Sequence, residues 1–85
     1  MSQAATKVLV VEDEIDVRTR IETILKFEGY DTVGAGSVRE GLRLSLSERP
    51  DIVVSDILME NGDGLELVSV LRSRPESRLL PIIMV

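Results

Sequence analysis

The chain has 85 residues, a net charge of −5 and an apolar content of 44%, which allow one small domain with a largely aliphatic core. It contains no cysteine and no histidine, which excludes disulfides, thiolate or imidazole zinc sites, cysteine nucleophiles and Ser-His-Asp catalysis. Its acidic balance, with one Phe and one Tyr, argues against nucleic-acid binding, and no segment has the length and apolar character of a membrane span.

The first part of the chain predicts a buried strand and then a helix. The strand is the β-branched run Lys7–Val11, and continuous apolar runs of this kind are typical of parallel sheets with both faces covered. A helix is expected from about Glu14 to Phe27, with Gly29 as its stop. Its apolar residues recur near helical spacing, and they are Ile15, Ile21, Ile24 and Leu25. Charged residues lie on another face of the helix, at Arg18, Glu22 and Lys26.

The middle of the chain predicts a weak second strand and a well-capped helix. The strand is Thr32–Ala35. Ser37 is a good N-cap residue, and Glu40 three positions later completes a capping box. The helix then runs to about Glu48, and the apolar spacing predicts that its inward residues are Val38, Leu42 and Leu46.

The last part predicts two more strands around a third helix. The strands are Ile52–Asp56 and Pro81–Val85, and residues 61–64 have the composition of a loop. The helix runs from Leu65 to about Ser73, with an inward side formed by Leu65, Val68 and Leu71. Strands that alternate with helices imply right-handed crossovers, so the sequence predicts an α/β fold with a doubly wound parallel sheet.

Three carboxylates follow the predicted strands at one edge of this sheet. Glu12 and Asp13 come directly after the first strand, and Asp56 closes the third. Ligands of open α/β sheets bind beyond the carboxyl ends of the strands, where the strand order reverses. If the third strand pairs beside the first, with the second on its other side, the three acids converge at that point. Each acid by itself is more simply a solvated loop residue, but their joint placement favours a shared Mg²⁺ site. A carboxylate in such a site can also be a nucleophile toward a phosphoryl group.

These motifs resemble the receiver domain of response regulators in two-component signalling. The resemblance rests on Val10–Glu14, on Asp56–Met59 with Asp63 and Gly64 after it, and on Pro81 at the fourth strand. It implies a flavodoxin-like receiver fold. It also implies that Asp56 is the phosphoacceptor, Asp13 a direct Mg²⁺ ligand and Glu12 a second acid acting through water. The resemblance further implies that the Leu58 backbone carbonyl is a metal ligand and that Gly64 begins the third helix.

The resemblance implies a phosphoacceptor module rather than an enzyme in its own right. The phosphoryl group would come from a histidine kinase or a phosphotransfer protein, with Mg²⁺ as cofactor and an output domain or partner as reader. No direct contact with nucleic acid or membrane is expected. The protein is expected in the cytoplasm, with which the lack of cysteine agrees.

Two features depart from the family pattern. Glu60 stands where the family commonly has proline. It is more simply a solvated loop residue. The alternative hypothesis is that its charge slows phosphorylation by anionic donors, in which case Glu60→Pro would change the rate. The family's phosphoryl-binding hydroxyl and lysine would lie beyond Val85, so residues 1–85 are expected to be the N-terminal portion of a receiver domain without its fourth helix onward. As an isolated fragment the fourth predicted strand would be an apolar sheet edge, through which we hypothesise self-association with a second copy; the alternative is that these residues are part of a longer protein.

Two other functions remain open from the sequence. The first is an interaction module that is not phosphorylated. The second is a Mg²⁺-dependent phosphatase that uses an aspartyl-phosphate. This alternative is weaker, because such sites usually carry a second Asp two residues after the nucleophile, and here Leu58 occupies that position. Turnover of added phosphoesters would identify the phosphatase, and an unreactive Asp56 would identify the interaction module.

Overall fold

The structure is a computed structural model that describes residues 5–59 and 62–85. Its main sheet has four strands and a short separate hairpin has two, and three helices connect them. The strands of the main sheet are β1 (Lys7–Val11), β2 (Asp31–Ala35), β3 (Ile52–Ser55) and β6 (Ile82–Met84). The hairpin consists of β4 (Leu58–Met59) and β5 (Gly62–Asp63), and the helices are α1 (Ile15–Phe27), α2 (Val38–Ser47) and α3 (Gly64–Ser73).

The main sheet is parallel throughout and has the order β2-β1-β3-β6. The chain moves outward from β1 to β2, returns across β1 to β3 and continues to β6, so the strand order reverses between β1 and β3. This confirms the predicted α/β fold and its doubly wound sheet. The strand bounds differ from the predicted ones by a residue at some ends, and the residues predicted as a loop include the β5 strand.

Local signals at the helix ends work as predicted. Gly29 has φ +95°, and the amides of Gly29 and Tyr30 bond to the carbonyls of Lys26 and Leu25, which is the Schellman arrangement. Before α2, Ser37 Oγ accepts a bond of 3.1 Å from the amide of Glu40. The Glu40 carboxylate reaches back at 2.7 Å to the amide of Gly36 rather than to that of Ser37 itself.

The buried faces of α2 and α3 agree with the predicted ones at Val38 and Leu71, and Leu42 packs against the core partly buried, but other positions differ. In α2 the buried residues are Val38, Gly41 and Ser45, whereas Leu46 is 47% exposed. A β-carbon on Gly41 would lie only 3.0 Å from Val11 Cγ2, so small residues let this helix approach β1 closely. In α3, Leu67 and Leu71 are fully buried and Leu65 is 60% exposed.

The helices cover the two faces of the sheet unequally. The core cluster lies between the sheet and α2 and α3, and its members are Leu9, Val11, Ala35, Val38, Val53, Leu67 and Leu71. Helix α1 lies on the opposite face and contributes no fully buried residue, so its predicted apolar side remains largely exposed at Ile15 and Ile24. Within the described residues, no helix combines the length and apolar character needed to cross a bilayer.

Candidate functional site

The carboxyl ends of β1 and β3 bring the three predicted acids together. The two strands are adjacent with Val11 opposite Ser55, so Glu12 and Asp56 leave the sheet side by side. The amide of Asp56 bonds to the carbonyl of Val11 at 3.0 Å, and the amide of Glu12 bonds to the carbonyl of Ala35 at 2.9 Å. Both main chains are therefore held by the sheet at the point where its strand order reverses.

The carboxylates of Glu12, Asp13 and Asp56 form one cluster. Each offers an oxygen that lies within 4.8 Å of the oxygens of the other two. Glu12 is buried at 6% exposure, while Asp13 and Asp56 are partly exposed. The cluster therefore has a buried floor and an open side from which an ion or a phosphoryl group can approach.

Burial, and then the neighbouring acids, raise the pKa of the Glu12 carboxyl. Burial raises the pKa of the Glu12 carboxyl most, and the hydrogen bond with Asp13 and the charges of Asp56 and Asp13 raise it further. The amide of Glu14, which donates to Glu12 Oε2 at 3.0 Å, acts in the opposite direction. A divalent cation would relieve this repulsion. Three hard carboxylate oxygens are the donor type that Mg²⁺ prefers, so the residues present fit this ion.

Ser55 and Leu58 contact Asp56 in different ways. Ser55 is fully buried and its hydroxyl donates to the Asp56 carbonyl at 3.0 Å, so Ser55 is a structural residue and not an accessible nucleophile. The amide of Leu58 lies 3.4 Å from Asp56 Oδ1, which is a long hydrogen bond. The Leu58 carbonyl is part of the β4–β5 hairpin, where Leu58 pairs with Asp63, and its role as a ligand remains a prediction.

Gly64 lets the start of α3 pack closely against the main chain of Asp56. A β-carbon at this position would collide with the Asp56 carbonyl oxygen and with Cε of Met84. The Gly64 amide also donates to the Ile57 carbonyl at 2.8 Å. The family resemblance gave the position of this glycine, and the structure gives its physical reason, which is the close approach of α3 to the residue that ends β3.

Arg18 is a site neighbour that the sequence interpretation placed on a separate helix face. Its Nη1 donates to the carbonyl oxygen of Glu12 at 2.8 Å, and its side chain crosses β2 above Gly34 and Gly36. Gly34 in this weak strand and Gly36 directly after it were the available signal, because positions without side chains leave room for a long side chain from the helix. Glu60 and Asn61, which include the predicted departure from the family pattern, lie outside the described residues.

Comparisons with known proteins agree with this architecture. The family model described as the response regulator receiver domain matches residues 8–85. Response regulator MprA of Mycolicibacterium vanbaalenii is 43% identical over 77 residues, which is 91% of this chain and 32% of that protein. The transcriptional regulatory protein PhoP of Bacillus subtilis is 35% identical over 78 residues, with similar coverage. The chain thus spans about a third of the length of these curated relatives.

Solved structures give the same result for the fold. The chemotaxis protein CheY4 of Vibrio cholerae superimposes with a TM-score of 0.91 at 33% identity, over 95% of this chain and 68% of that one. A signal receiver domain of a histidine kinase from Syntrophus aciditrophicus gives a TM-score of 0.90 at 34% identity, over 95% and 61%. Family model, relatives and fold coincide, and the chain belongs to the response regulator receiver domain family.

Proposed function

We propose that this protein accepts a phosphoryl group on Asp56 from a phosphohistidine of a histidine kinase or phosphotransfer protein. The observation that carries the proposal is the convergence of Glu12, Asp13 and Asp56 where the strand order reverses. An Asp56 carboxylate oxygen forms a bond to phosphorus while the phosphorus–nitrogen bond of the donor breaks. The product is an aspartyl-phosphate, and the imidazole leaves with the electron pair of the broken bond.

Mg²⁺ is the cofactor in this proposal, held by Glu12, Asp13, Asp56 and the Leu58 backbone carbonyl. When bound, it would offset the negative charge of the acids and of the incoming phosphoryl oxygens. The residues of the chain supply the rest: β1 and β3 fix the acids, and the buried Ser55 hydroxyl holds the main chain at the acceptor. The domain turns over no separate substrate, and phosphorylation would shift a two-state equilibrium that an output domain or partner reads.

The proposed setting follows from the family. Receiver domains of response regulators act with histidine kinases and output domains, and for this chain we propose a cytoplasmic location. We propose that residues 1–85 are the N-terminal portion of a receiver domain, which the 68% and 61% coverage of the two solved receivers supports. The phosphoryl-binding hydroxyl and the lysine would then follow outside this sequence.

For residues 1–85 as an isolated chain, we also propose self-association with a second copy through β6; in a longer chain the segment after Val85 would instead cover this edge. This strand is the outer strand of the described sheet, and an outer strand presents unpaired backbone groups to another chain. Ile83 is about half exposed beside this edge, and Leu79 and Val85 are more exposed still. Two copies related by a two-fold axis could pair their β6 strands in an antiparallel manner.

The phosphoacceptor proposal is tested by incubation with Mg²⁺ and acetyl phosphate, followed by intact-mass measurement. We expect one phosphoryl adduct on the unaltered protein and none on Asp56→Asn. Asp31→Asn is the matched control, because Asp31 is exposed at the opposite end of the sheet and should leave the adduct intact. An unreactive protein would contradict the proposal and favour the interaction module, and turnover of added phosphoesters would favour the phosphatase.

A further inference from the structure

Arg18 is bonded to the main chain of the segment that carries two of the three acids. It lies in the first turn of α1, where its own amide donates to the Glu14 carbonyl at 2.9 Å. Its guanidinium donates from Nη1 to the Glu12 carbonyl at 2.8 Å, across a part-buried contact. One residue therefore holds the short connection between β1 and α1 at both of its ends.

The path of the Arg18 side chain is fixed by two glycines of the β2 strand and its end. A β-carbon on Gly34 would lie 3.2 Å from Arg18 Cδ, and one on Gly36 would lie 3.2 Å from Arg18 Nη1. The neighbouring Glu22 accepts a 2.9 Å bond from the Thr32 hydroxyl and so packs over the same strand. The arginine is thereby confined to a groove whose floor is backbone and whose side is α1.

The main chain of Glu12 is consequently bonded on both sides. Its amide donates to the Ala35 carbonyl at 2.9 Å, and its carbonyl accepts from Arg18. With these two groups fixed, the peptide plane between Glu12 and Asp13 has little freedom to rotate, and rotation there would turn Asp13 away from Asp56. We propose that Arg18 is a positioning residue that sets the Glu12–Asp13 pair against Asp56, an inference that rests on the proposed Mg²⁺ and phosphoacceptor site.

Charge and positioning predict opposite effects when Arg18 is replaced. A guanidinium close to the acids repels an incoming cation, so removing its charge alone would strengthen Mg²⁺ binding. Removing the bond to the Glu12 carbonyl would loosen the pair of acids and weaken Mg²⁺ binding. The direction of the change in affinity therefore separates a positioning role from a purely electrostatic one.

The experiment measures Mg²⁺ binding by calorimetric titration on the unaltered chain and on Arg18→Met. We expect the dissociation constant of Arg18→Met to rise about 10-fold, which is the lower end of what losing an outer-shell partner costs a metal site. Arg18→Lys keeps the charge and one donor, and it should recover most of that loss. Arg20→Met removes an exposed arginine from the same helix and should leave the constant unchanged.

Two further measurements keep the test decisive if Arg18→Met unfolds. Gly36→Ala leaves Arg18 in place but puts a methyl group against its guanidinium, at a position with an ordinary negative φ. We expect it to weaken Mg²⁺ binding while the urea midpoint stays close to that of the unaltered chain. Without Mg²⁺, hydrogen exchange at the amides of Asp13 and Glu14 should be faster in Gly36→Ala than in Arg20→Met.

The outcomes distinguish this inference from the function beneath it. If the unaltered chain binds no Mg²⁺ and forms no adduct on Asp56, the proposed function is wrong and this role of Arg18 is wrong with it. If the unaltered chain binds Mg²⁺ and forms the adduct, but the Arg18 and Gly36 variants bind Mg²⁺ equally well or more tightly, only the positioning role is wrong.

Discussion

The two faces of the main sheet are built differently. The face under α2 and α3 carries the core cluster, in which Leu9, Val53 and Leu67 are fully buried. The face under α1 retains a groove of about 400 Å³, whose apolar lining includes Leu25, Val54 and Ile83. One sheet thus has a packed side and a side that a single helix covers only in part.

This difference separates what stabilises the fold from what remains available for contact. Seven of the nine buried apolar residues that the structure describes belong to the core cluster under α2 and α3, and only Val8 and Val10 lie outside it. Most of the free energy of folding should therefore come from that face. The acids at the strand ends depend on the same face, because α3 begins against the back of Asp56 through Gly64. On the other side of the sheet, helix α1 leaves large apolar side chains exposed, among them Ile24 and Phe27.

The largest expected effect compares one truncation on each face. Leu67→Ala creates a cavity in the packed core and should lower the free energy of unfolding by about 3 kcal/mol. Ile24→Ala removes a side chain that is 58% exposed and should lower it by less than about 1 kcal/mol. Urea unfolding followed by circular dichroism measures both. Equal losses would mean that the two faces contribute equally to stability, against the burial pattern.

The next effect concerns glycines of the covered face. Gly64→Ala forces a β-carbon into the Asp56 carbonyl and Met84, which should cost about 2 kcal/mol of unfolding free energy and slow adduct formation on Asp56. Gly41→Ala is the matched control on the same face, where a β-carbon would be 3.0 Å from the Val11 side chain and would not touch the main chain of Asp56.

The gain in helix propensity at Gly41, about 1 kcal/mol, offsets part of its packing cost. We expect Gly41→Ala to form the adduct at the rate of the unaltered chain, as measured by intact mass over time. An unchanged adduct rate in Gly64→Ala would show that the contact between α3 and Asp56 does not matter to the site.

The same comparison explains what the sequence could and could not predict. The alternation of strands and helices was predictable from β-branched runs and helical spacing, and so was the placement of Glu12, Asp13 and Asp56 at strand ends. Their convergence also required β3 to lie beside β1, which these local signals do not decide. The inward side of α2 was not, because Gly41 and Ser45 mark it by small size rather than by hydropathy. The spacing rule therefore selected Leu46, which lies at the rim.

Two other features were beyond the sequence patterns for related reasons. Leu65 and Leu67 are both apolar and close in α3, and only the position of the sheet decides that Leu67 is the buried one. Arg18 follows helical spacing like any exposed arginine, and its bond to Glu12 depends on the glycines of β2, which are distant in sequence. Long-range packing decides both cases, and a single sequence carries little information about it.

A smaller effect tests how strongly α2 depends on its start. Ser37→Ala removes the bond to the Glu40 amide and should lower the free energy of unfolding by about 1 kcal/mol. Its matched control is Ser47→Ala at the other end of α2, where the side chain is exposed and the change should be within about 0.5 kcal/mol of zero. Urea midpoints would contradict the capping role if the two variants were equally stable.

A charge placed on β6 should have the smallest effect on stability, and it is the sharpest test of contacts at this edge of the sheet. Ile83→Lys places a cation on a strand edge that is about half exposed, so the unfolding free energy should change little while pairing between two copies becomes unfavourable. Phe27→Lys is the control, because it adds the same charge to the exposed end of α1 rather than to the β6 strand. Light scattering over a wide concentration range should give a mass that rises with concentration for the unaltered chain and for Phe27→Lys, and a constant monomer mass for Ile83→Lys.

A monomer at all concentrations for the unaltered chain would exclude self-association. Loss of association in both variants would instead assign the contact to the apolar face of α1, because only a face-to-face contact would be sensitive to a charge at Phe27.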